Sequence, residues 1–402
     1  MNTGYNIDNE VYKSELTSHI KGLINNSTNS INLFDIIVNS EGASPILVKE
    51  ILDTNNLKYT LDNKVALVNQ NYSVAKTIGF LSDPHPADYD WRFNQNTINI
   101  YVQDIINESV NSKIALLGTK TIFKGLIDNS IDTTIFNKSK SILNNFRENG
   151  YTKGLIHCDL FEPQTDYNNI FNLVIADPPW YEEYYNTFIQ RSSDFLTIGG
   201  KLHLSVLQKM TRPNAIVDRE KIIQNATKFG LKLIKIIPKY FVYETPNFER
   251  NTLKIQNLQC ENWRISDLFI FEKVSSEINN EVILPLFDEP MWQEYNIGSK
   301  KIKIKNVISQ VDNQIFSFES ADPNGIIFTD VSRRSPFRKR IDVWTSDNLA
   351  FRVKRQNILN FLFNRLSLGV TGSECIALLS SEYILSEEEI VNLNEFLNHF
   401  QI

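Results

Sequence analysis

The sequence predicts an α/β protein: a seven-stranded, mainly parallel sheet covered by helices, preceded by a small winged-helix-like unit and followed by an α+β accessory region. Three observations predict it. From residue 111, short apolar runs alternate with amphipathic stretches, the pattern of strands joined by crossover helices. Before that point, two helical patterns lead into an alternating hairpin. After residue 275, the chain turns polar, basic and turn-rich and closes on amphipathic helices. The expected organisation is 1–70 winged-helix-like, 71–110 connecting, 111–275 the sheet domain and 276–402 accessory.

In the first unit, "INLFDIIVNS" has helical apolar spacing and "EGAS" is turn chemistry. "PILVKEILDTNN" starts a second helix, with Ser44 as N-cap and Pro45 at the first helical position. "LKYTLDNKVALV" alternates across Asp62-Asn63, a two-residue hairpin signal. Lys49, Lys58 and Lys64 are offset by Glu41, Glu50, Asp53 and Asp62, so the unit reads as a docking or dimerisation module as readily as a DNA binder. In 71–110, "SDPHPADYDWRFNQNTI" precedes a helix-like "QNTINIYVQDIINESV". The Asp90-Trp91-Arg92-Phe93 run suits a lid in which Trp91 and Arg92 touch substrate. The plainer alternative is a loop packed over a neighbour.

The seven strand candidates are "KIALLG" (113–118), "IDTTIF" (131–136), "KGLIHCD" (153–159), "FNLVIAD" (171–177), "GKLHLSVL" (200–207), "LKLIKIIP" (231–238) and "SDLFIFEK" (266–273). Helices are expected at "SKSILNNFREN", "YNTFIQRSSDFL" and "REKIIQNATKFG". The piece from Lys239 to Arg264 reads as non-helical, so the last strand returns antiparallel to its neighbour. In the accessory region, "SKKIKIKNVISQV" reads as a strand and "SFESADPNGIIFTD" holds a turn. Helices follow near "QNILNFLFNRL" and "SEEEIVNLNEFLNHF", the second opened by a Ser386/Glu389 capping box.

Composition narrows the classes. A net charge of −6 means that any polyanion contact needs a local basic patch. Cys158, Cys260 and Cys375 have no paired spacing, which points to a reducing compartment. The five histidines make no HxxxH or HExxH pattern, so no metal site is expected. No apolar run approaches the ~18 residues of a membrane span, and no signal peptide opens the chain. A cytoplasmic protein is the expectation. Basic residues interleaved with rings at 333–355 (Arg333, Arg334, Arg338, Lys339, Arg340, Arg352, Lys354 and Arg355, with Phe337 and Trp344) form a candidate nucleic-acid contact or a solvated face.

The chemistry concentrates in "DPPWY", Asp177-Pro178-Pro179-Trp180-Tyr181, directly after the apolar run "FNLVIA". Two prolines stop regular structure and force extended geometry before each ring. The result is a stiff turn with an acid on one side and flat rings on the other. In an open parallel sheet, ligands sit beyond the carboxyl ends of the strands. The other candidate strand ends are Gly118, Asn137 and Asp159. One glycine at 118 is not a dinucleotide fingerprint, and no P-loop occurs, which disfavours NAD and nucleoside triphosphates.

The segment "NLVIADPPWYEEYYNTFIQRSSDFLTIGGKLHLSV" resembles the fourth-strand, helix and fifth-strand segment of class I S-adenosylmethionine-dependent methyltransferases. Asp177-Pro178-Pro179-Trp180 is similar to the [DNS]-PP-[YFW] motif of those that methylate amino groups, adenine N6 included. The resemblance spans about residues 111–275 and implies a Rossmann-like domain with S-adenosylmethionine as cofactor. It assigns Gly118, Thr119, Thr121, Asn137, Asp159 and Leu160 to the cofactor, and 177–181 to catalysis on an amino-group acceptor. A nucleobase amine is the favoured acceptor. Asn stands at 137 where a ribose-binding carboxylate is usual. The order winged helix, Rossmann-like domain and DPP-aromatic turn is also similar to the branched-chain polyamine synthase family, which transfers aminopropyl groups from decarboxylated S-adenosylmethionine to polyamines. That family carries an acidic run after the first strand, whereas this chain has Gly118-Thr119-Lys120-Thr121. A non-catalytic binding protein with the same fold is the remaining alternative.

Overall fold

A computed structural model of the chain describes residues 3–27, 30–61, 78–108, 112–276, 290–306, 315–329 and 335–400. Two compact units divide it: Met1–Leu81, Trp91–Thr245 and Leu253–Phe287 form the first, and Ser82–Asp90, Pro246–Thr252 and Asp288–Ile402 the second.

The first unit is built on an eight-stranded mixed sheet. Its strands are β1 (Arg92–Phe93), β2 (Ile114–Leu117), β3 (Thr133–Asn137), β4 (Leu155–His157), β5 (Phe171–Ala176), β6 (Leu196–Leu207), β7 (Leu231–Glu244) and β8 (Ile265–Lys273), in the order β1-β7-β8-β6-β5-β2-β3-β4. Strands β4, β3, β2, β5 and β6 run parallel, while β8 is antiparallel to both β6 and β7. All seven sequence candidates appear as strands. The eighth is the two-residue β1, which pairs Arg92 with Glu244 and Phe93 with Tyr243. The expected strand count of seven is therefore one short, because a two-residue pairing has no periodicity for a sequence to display. β2 and the second half of β5 are buried on both faces, as inner parallel strands are, and their sequences are accordingly unbroken apolar runs.

Helices α4 (Gln95–Glu108), α5 (Lys120–Asp128), α6 (Lys140–Glu148), α7 (Glu182–Phe195) and α8 (Ala215–Lys228) connect or cover these strands. Helix α4 packs on α5 and β7, and α7 packs on α8. Strand β7 runs past its expected end at Pro238. Its pairing with β8 shifts between Ile237 and Phe241, and Lys239 takes a left-handed φ of 53°. This irregularity turns the remainder of the strand so that Phe241 and Tyr243 are buried. The Asp267 carboxylate holds the bend, accepting from the Lys239 N–H at 2.8 Å and pairing with Arg219 at 2.8 Å. The stretch expected to be non-helical also contains a short helix, α9 (Asn247–Ile255), anchored by buried Phe248, Thr252 and Leu253.

The N-terminal residues form α1 (Thr3–Asn25), α2 (Leu33–Asn39) and α3 (Pro45–Thr54). Pro45 opens α3, but Ser44 makes no side-chain cap bond there. The cap that does form is Asn32 on α2, accepting from the Asp35 N–H at 2.7 Å. Leu16, Ile20, Leu33, Ile37, Val48 and Leu52 share a core with Leu258 and Trp263. The Asp62-Asn63 hairpin turn and its second strand lie outside the described residues.

The second unit carries an antiparallel sheet of β9 (Trp292–Ile297), β10 (Lys300–Lys305), β11 (Ser317–Ser320), β12 (Val343–Thr345) and β13 (Ala350–Lys354), ordered β11-β13-β12-β10-β9. Helices α10 (Leu359–Ser367), α11 (Gly372–Glu382) and α12 (Glu387–Asn398) complete its core, around Ile302, Phe351, Phe363 and Phe396. The Ser386/Glu389 capping box is present. Among the described residues of the chain, no helix is long and apolar enough to cross a membrane.

Candidate active site

The carboxyl ends of β2 and β5 lie side by side, with Leu117 opposite Ala176 in parallel register. The chain leaves β5 through Asp177, whose N–H donates to the Leu117 carbonyl at 2.9 Å. Gly118 leaves β2 at φ +77°. A Cβ there would sit 2.4 Å from the Asp177 carbonyl oxygen, so only glycine lets the two turns approach this closely. Pro178 and Pro179 carry the chain to Trp180, and the Tyr181 N–H folds back onto the Pro179 carbonyl at 2.7 Å. Helix α7 starts at once, with Glu182 and Glu183 in its first turn complementing the helix dipole.

The Asp177 carboxylate is part of a hydroxyl cluster assembled from three other strands. Its Oδ1 accepts from the Tyr243 hydroxyl at 2.7 Å. The Tyr243 oxygen lies 2.7 Å from Ser205 Oγ and 3.2 Å from Ser266 Oγ, and those two are 2.8 Å apart. Burial pushes the Asp177 carboxyl up to about 6, against hydrogen bonds from Tyr243 and Ser205 and the positive charges of Arg264 and Lys120. Burial and the neighbouring carboxylate drive the Tyr243 phenol well above its ordinary value.

Beside the acid lies an aromatic stack. The Arg264 guanidinium sits 3.8 Å above the Trp180 ring and 4.3 Å from the Trp91 ring, so it is held between two indoles. Tyr243 meets Trp180 edge-on at 6.0 Å and Trp91 at 6.4 Å, and Trp263 meets Trp91 at 6.0 Å. Trp180 is only 8% exposed. Arg212, paired with Asp218 at 2.9 Å, donates to the Trp180 carbonyl.

The expected cofactor residues line the neighbouring strand ends. Thr119 and Thr121 are buried at the start of α5, and the Thr119 hydroxyl donates to the Ile175 carbonyl at 3.3 Å. Asn137 Oδ1 accepts the Ser139 N–H at 2.8 Å. Asp159 accepts the Phe161 N–H at 3.1 Å and pairs with Lys138 at 2.9 Å. Leu160 is nearly buried, and its carbonyl accepts from Arg191 at 2.9 Å. Next to it, burial pushes the Cys158 thiol up to about 11, which leaves it unreactive.

Trp91 and Arg92 are the lead-in and first residue of β1, and Trp91 reaches the site only through its contacts with Arg264 and Tyr243. Arg92 is buried and Phe93 stacks on Phe241 at 4.6 Å, so the Trp91–Phe93 stretch is a packed sheet edge. In the basic segment, Arg333 and Arg334 lie outside the described residues. Arg338 is buried against Tyr89 and Trp344, Arg340 and Arg352 pair with Glu319, and Arg355 pairs with Glu389. Sequence reasoning missed Tyr243, Ser205, Ser266 and Arg264. The one available signal was the alternation of Phe241 and Tyr243 beyond Pro238.

No protein-family model matches the chain, and no curated protein does. Among solved structures, it is similar to a mutein of the branched-chain polyamine synthase from Thermus thermophilus in complex with N4-aminopropylspermidine and 5'-methylthioadenosine, at 12% identity over 69% of this chain and 92% of that one, with a TM-score of 0.49. It is also similar to the CcbJ methyltransferase from Streptomyces caelestis, at 7% identity over 50% and 100% of the two chains and a TM-score of 0.35. TrmN from Thermus thermophilus follows at 14% identity, over 44% and 48%, with a TM-score of 0.31. The fold assignment rests on the chain's own topology: five parallel strands followed by a reversed strand inserted between β6 and β7. The antiparallel return of the last strand is the one expected from the sequence.

Proposed function

We propose that the chain is an S-adenosylmethionine-dependent transferase that methylates an amino nitrogen held at Asp177. One observation carries this reading: a partly buried carboxylate stands at the end of β5, stiffened by two prolines, against the glycine end of β2. The strand-end residues fit an adenosine-bearing donor in kind. Asn137 keeps its amide N–H groups as donors, Asp159 offers acceptor oxygens, and the positive end of the α5 dipole adjoins Gly118.

The donor supplies a methyl carbon on a positively charged sulfur, which departs as a neutral thioether. The chain's task is to aim a nitrogen lone pair and to receive a proton. Asp177 accepts an N–H of the amine, which orients the lone pair and stabilises the positive charge that develops on nitrogen. After transfer, the surplus proton passes to the Asp177 carboxylate. A carboxyl titrating at about 6 is suited to take it and then release it at neutral pH.

Arg264 and Lys120 both bring positive charge to Asp177, which argues against the aminopropyl alternative, since a polyamine acceptor would meet like charge. The same Arg264 covers a face of Trp180, so a nucleobase stacked on that face is the less supported acceptor. Titration calorimetry with S-adenosylmethionine and with its decarboxylated form tests the reading. Tighter binding of the first is expected. Binding of neither would overturn the proposal, and full activity in Asp177→Ala would overturn the role of the acid.

A further inference from the structure

We propose that Tyr243 is a positioning residue for the amine-holding acid: its hydroxyl, backed by Ser205 and Ser266, fixes the direction in which the Asp177 carboxylate faces. The proposal rests on the reading of Asp177 given under Proposed function.

The argument begins with sheet order. Strands β7, β8, β6 and β5 are consecutive neighbours, and each contributes one polar group near its end of the sheet: Tyr243, Ser266, Ser205 and Asp177. Ser205 and Ser266 are fully buried. Proton counting then orders the cluster. The single Tyr243 proton goes to Asp177 Oδ1, so a serine hydroxyl that bonds the phenol oxygen does so as its donor. Ser205 also bears on the carboxylate directly, and Ser266 lies within hydrogen-bond reach of both Ser205 and Tyr243, so the cluster's hydroxyls converge on the acid. With Oδ1 so engaged, Oδ2 is the oxygen that faces an incoming amine.

The ring of Tyr243 also packs against Phe93 and Trp180, so a purely structural role must be separated from a positioning one. Tyr243→Phe does this by keeping the ring and removing the hydroxyl. The charged and titratable groups facing Asp177 are Tyr243 on β7, Arg264 just before β8, Lys120 at the start of α5 and Tyr185 on α7, with the Ser205 hydroxyl on β6. The Tyr243 bond favours the ionised acid and is the one that Tyr243→Phe removes.

The test is the titration of Asp177 itself, followed by carboxyl-carbon NMR on the full chain carrying labelled aspartate, with Asp177→Asn assigning the signal. In Tyr243→Phe the midpoint is expected to rise by about one pH unit, while the affinity for S-adenosylmethionine by calorimetry changes less than about twofold. Ser205→Ala should shift the midpoint in the same direction and serves if Tyr243→Phe does not fold. An unmoved midpoint in the folded variants overturns the proposal. A shifted midpoint in a chain that binds no S-adenosylmethionine upholds the coupling between hydroxyl and carboxylate and overturns its place in the transfer reaction.

Discussion

Replacing Asp177 by asparagine should stabilise the folded chain at neutral pH while impairing transfer. In the folded chain the carboxyl keeps its proton up to about pH 6, whereas in the unfolded chain it loses it near its ordinary value of 3.8. Across that window the folded state binds more protons than the unfolded state, so this group's contribution falls as pH rises and stays low above about 6. The full separation corresponds to about 3 kcal/mol, and partial exposure of the residue reduces this to about 2 kcal/mol. Asparagine is close in shape and still offers Oδ1 to the Tyr243 hydroxyl, but it carries no charge to desolvate. Asp177→Asn should therefore gain about 2 kcal/mol at pH 7.5 and nothing at pH 4. Urea unfolding followed by tryptophan fluorescence at the two pH values measures both. A variant no more stable than the parent at pH 7.5, or one that keeps the parent's loss of stability between pH 4 and 6, refutes the reasoning. Under the proposed function, the same variant should lose about 100-fold in transfer rate, because asparagine cannot take the amine's proton.

Gly118→Ala adds a Cβ 2.4 Å from the Asp177 carbonyl at a left-handed φ, so a loss of about 2–4 kcal/mol is expected; thermal unfolding reads it, and a loss below about 0.5 kcal/mol would show that the two turns can part freely. Arg264→Met removes the cation between Trp91 and Trp180 and should cost about 1–2 kcal/mol while changing tryptophan emission; it should also raise the Asp177 titration, since a stabilising positive charge is lost. In the second unit, Glu389 is held down to about 2 by backbone N–H groups of Ser386 and Phe316 and by Arg355, against the cost of its burial. Its contribution is therefore present above its ordinary value and lost as pH falls toward about 2. Glu389→Gln should cost about 2–3 kcal/mol at pH 7 and progressively less in acid, measured by unfolding from pH 7 down to pH 3.

Much of the sheet was legible because its inner strands are buried on both faces and advertise themselves as apolar runs, as in "IALL" and "FNLVIA". Helix α12 was legible from Ser386 and Glu389. Helix α11 carries the same signature in Thr371 and Glu374, but only Cys375, Ile376 and Leu379 are buried along it, too few apolar positions to mark a face in the sequence. In the site, Gly118 and Asp177 were legible because each is a local anomaly: a glycine closing an apolar strand, and an acid before two prolines. Their roles toward a donor and an acceptor belong to the proposed function.

The sequence alone determined the alternation of strands and helices, the stiff acidic turn after β5 and the glycine that lets β2 end against it, because backbone rules written into neighbouring residues govern each of these. Only the tertiary structure decided what surrounds that acid. Tyr243 lies 66 residues from Asp177 in the chain and reaches it through a strand order no local pattern encodes and a bend at Lys239 that turns its ring inward. Arg264 comes to rest between two tryptophans by the same sheet geometry, since an interaction across strands depends on which edges meet, and that is a property of the assembled fold.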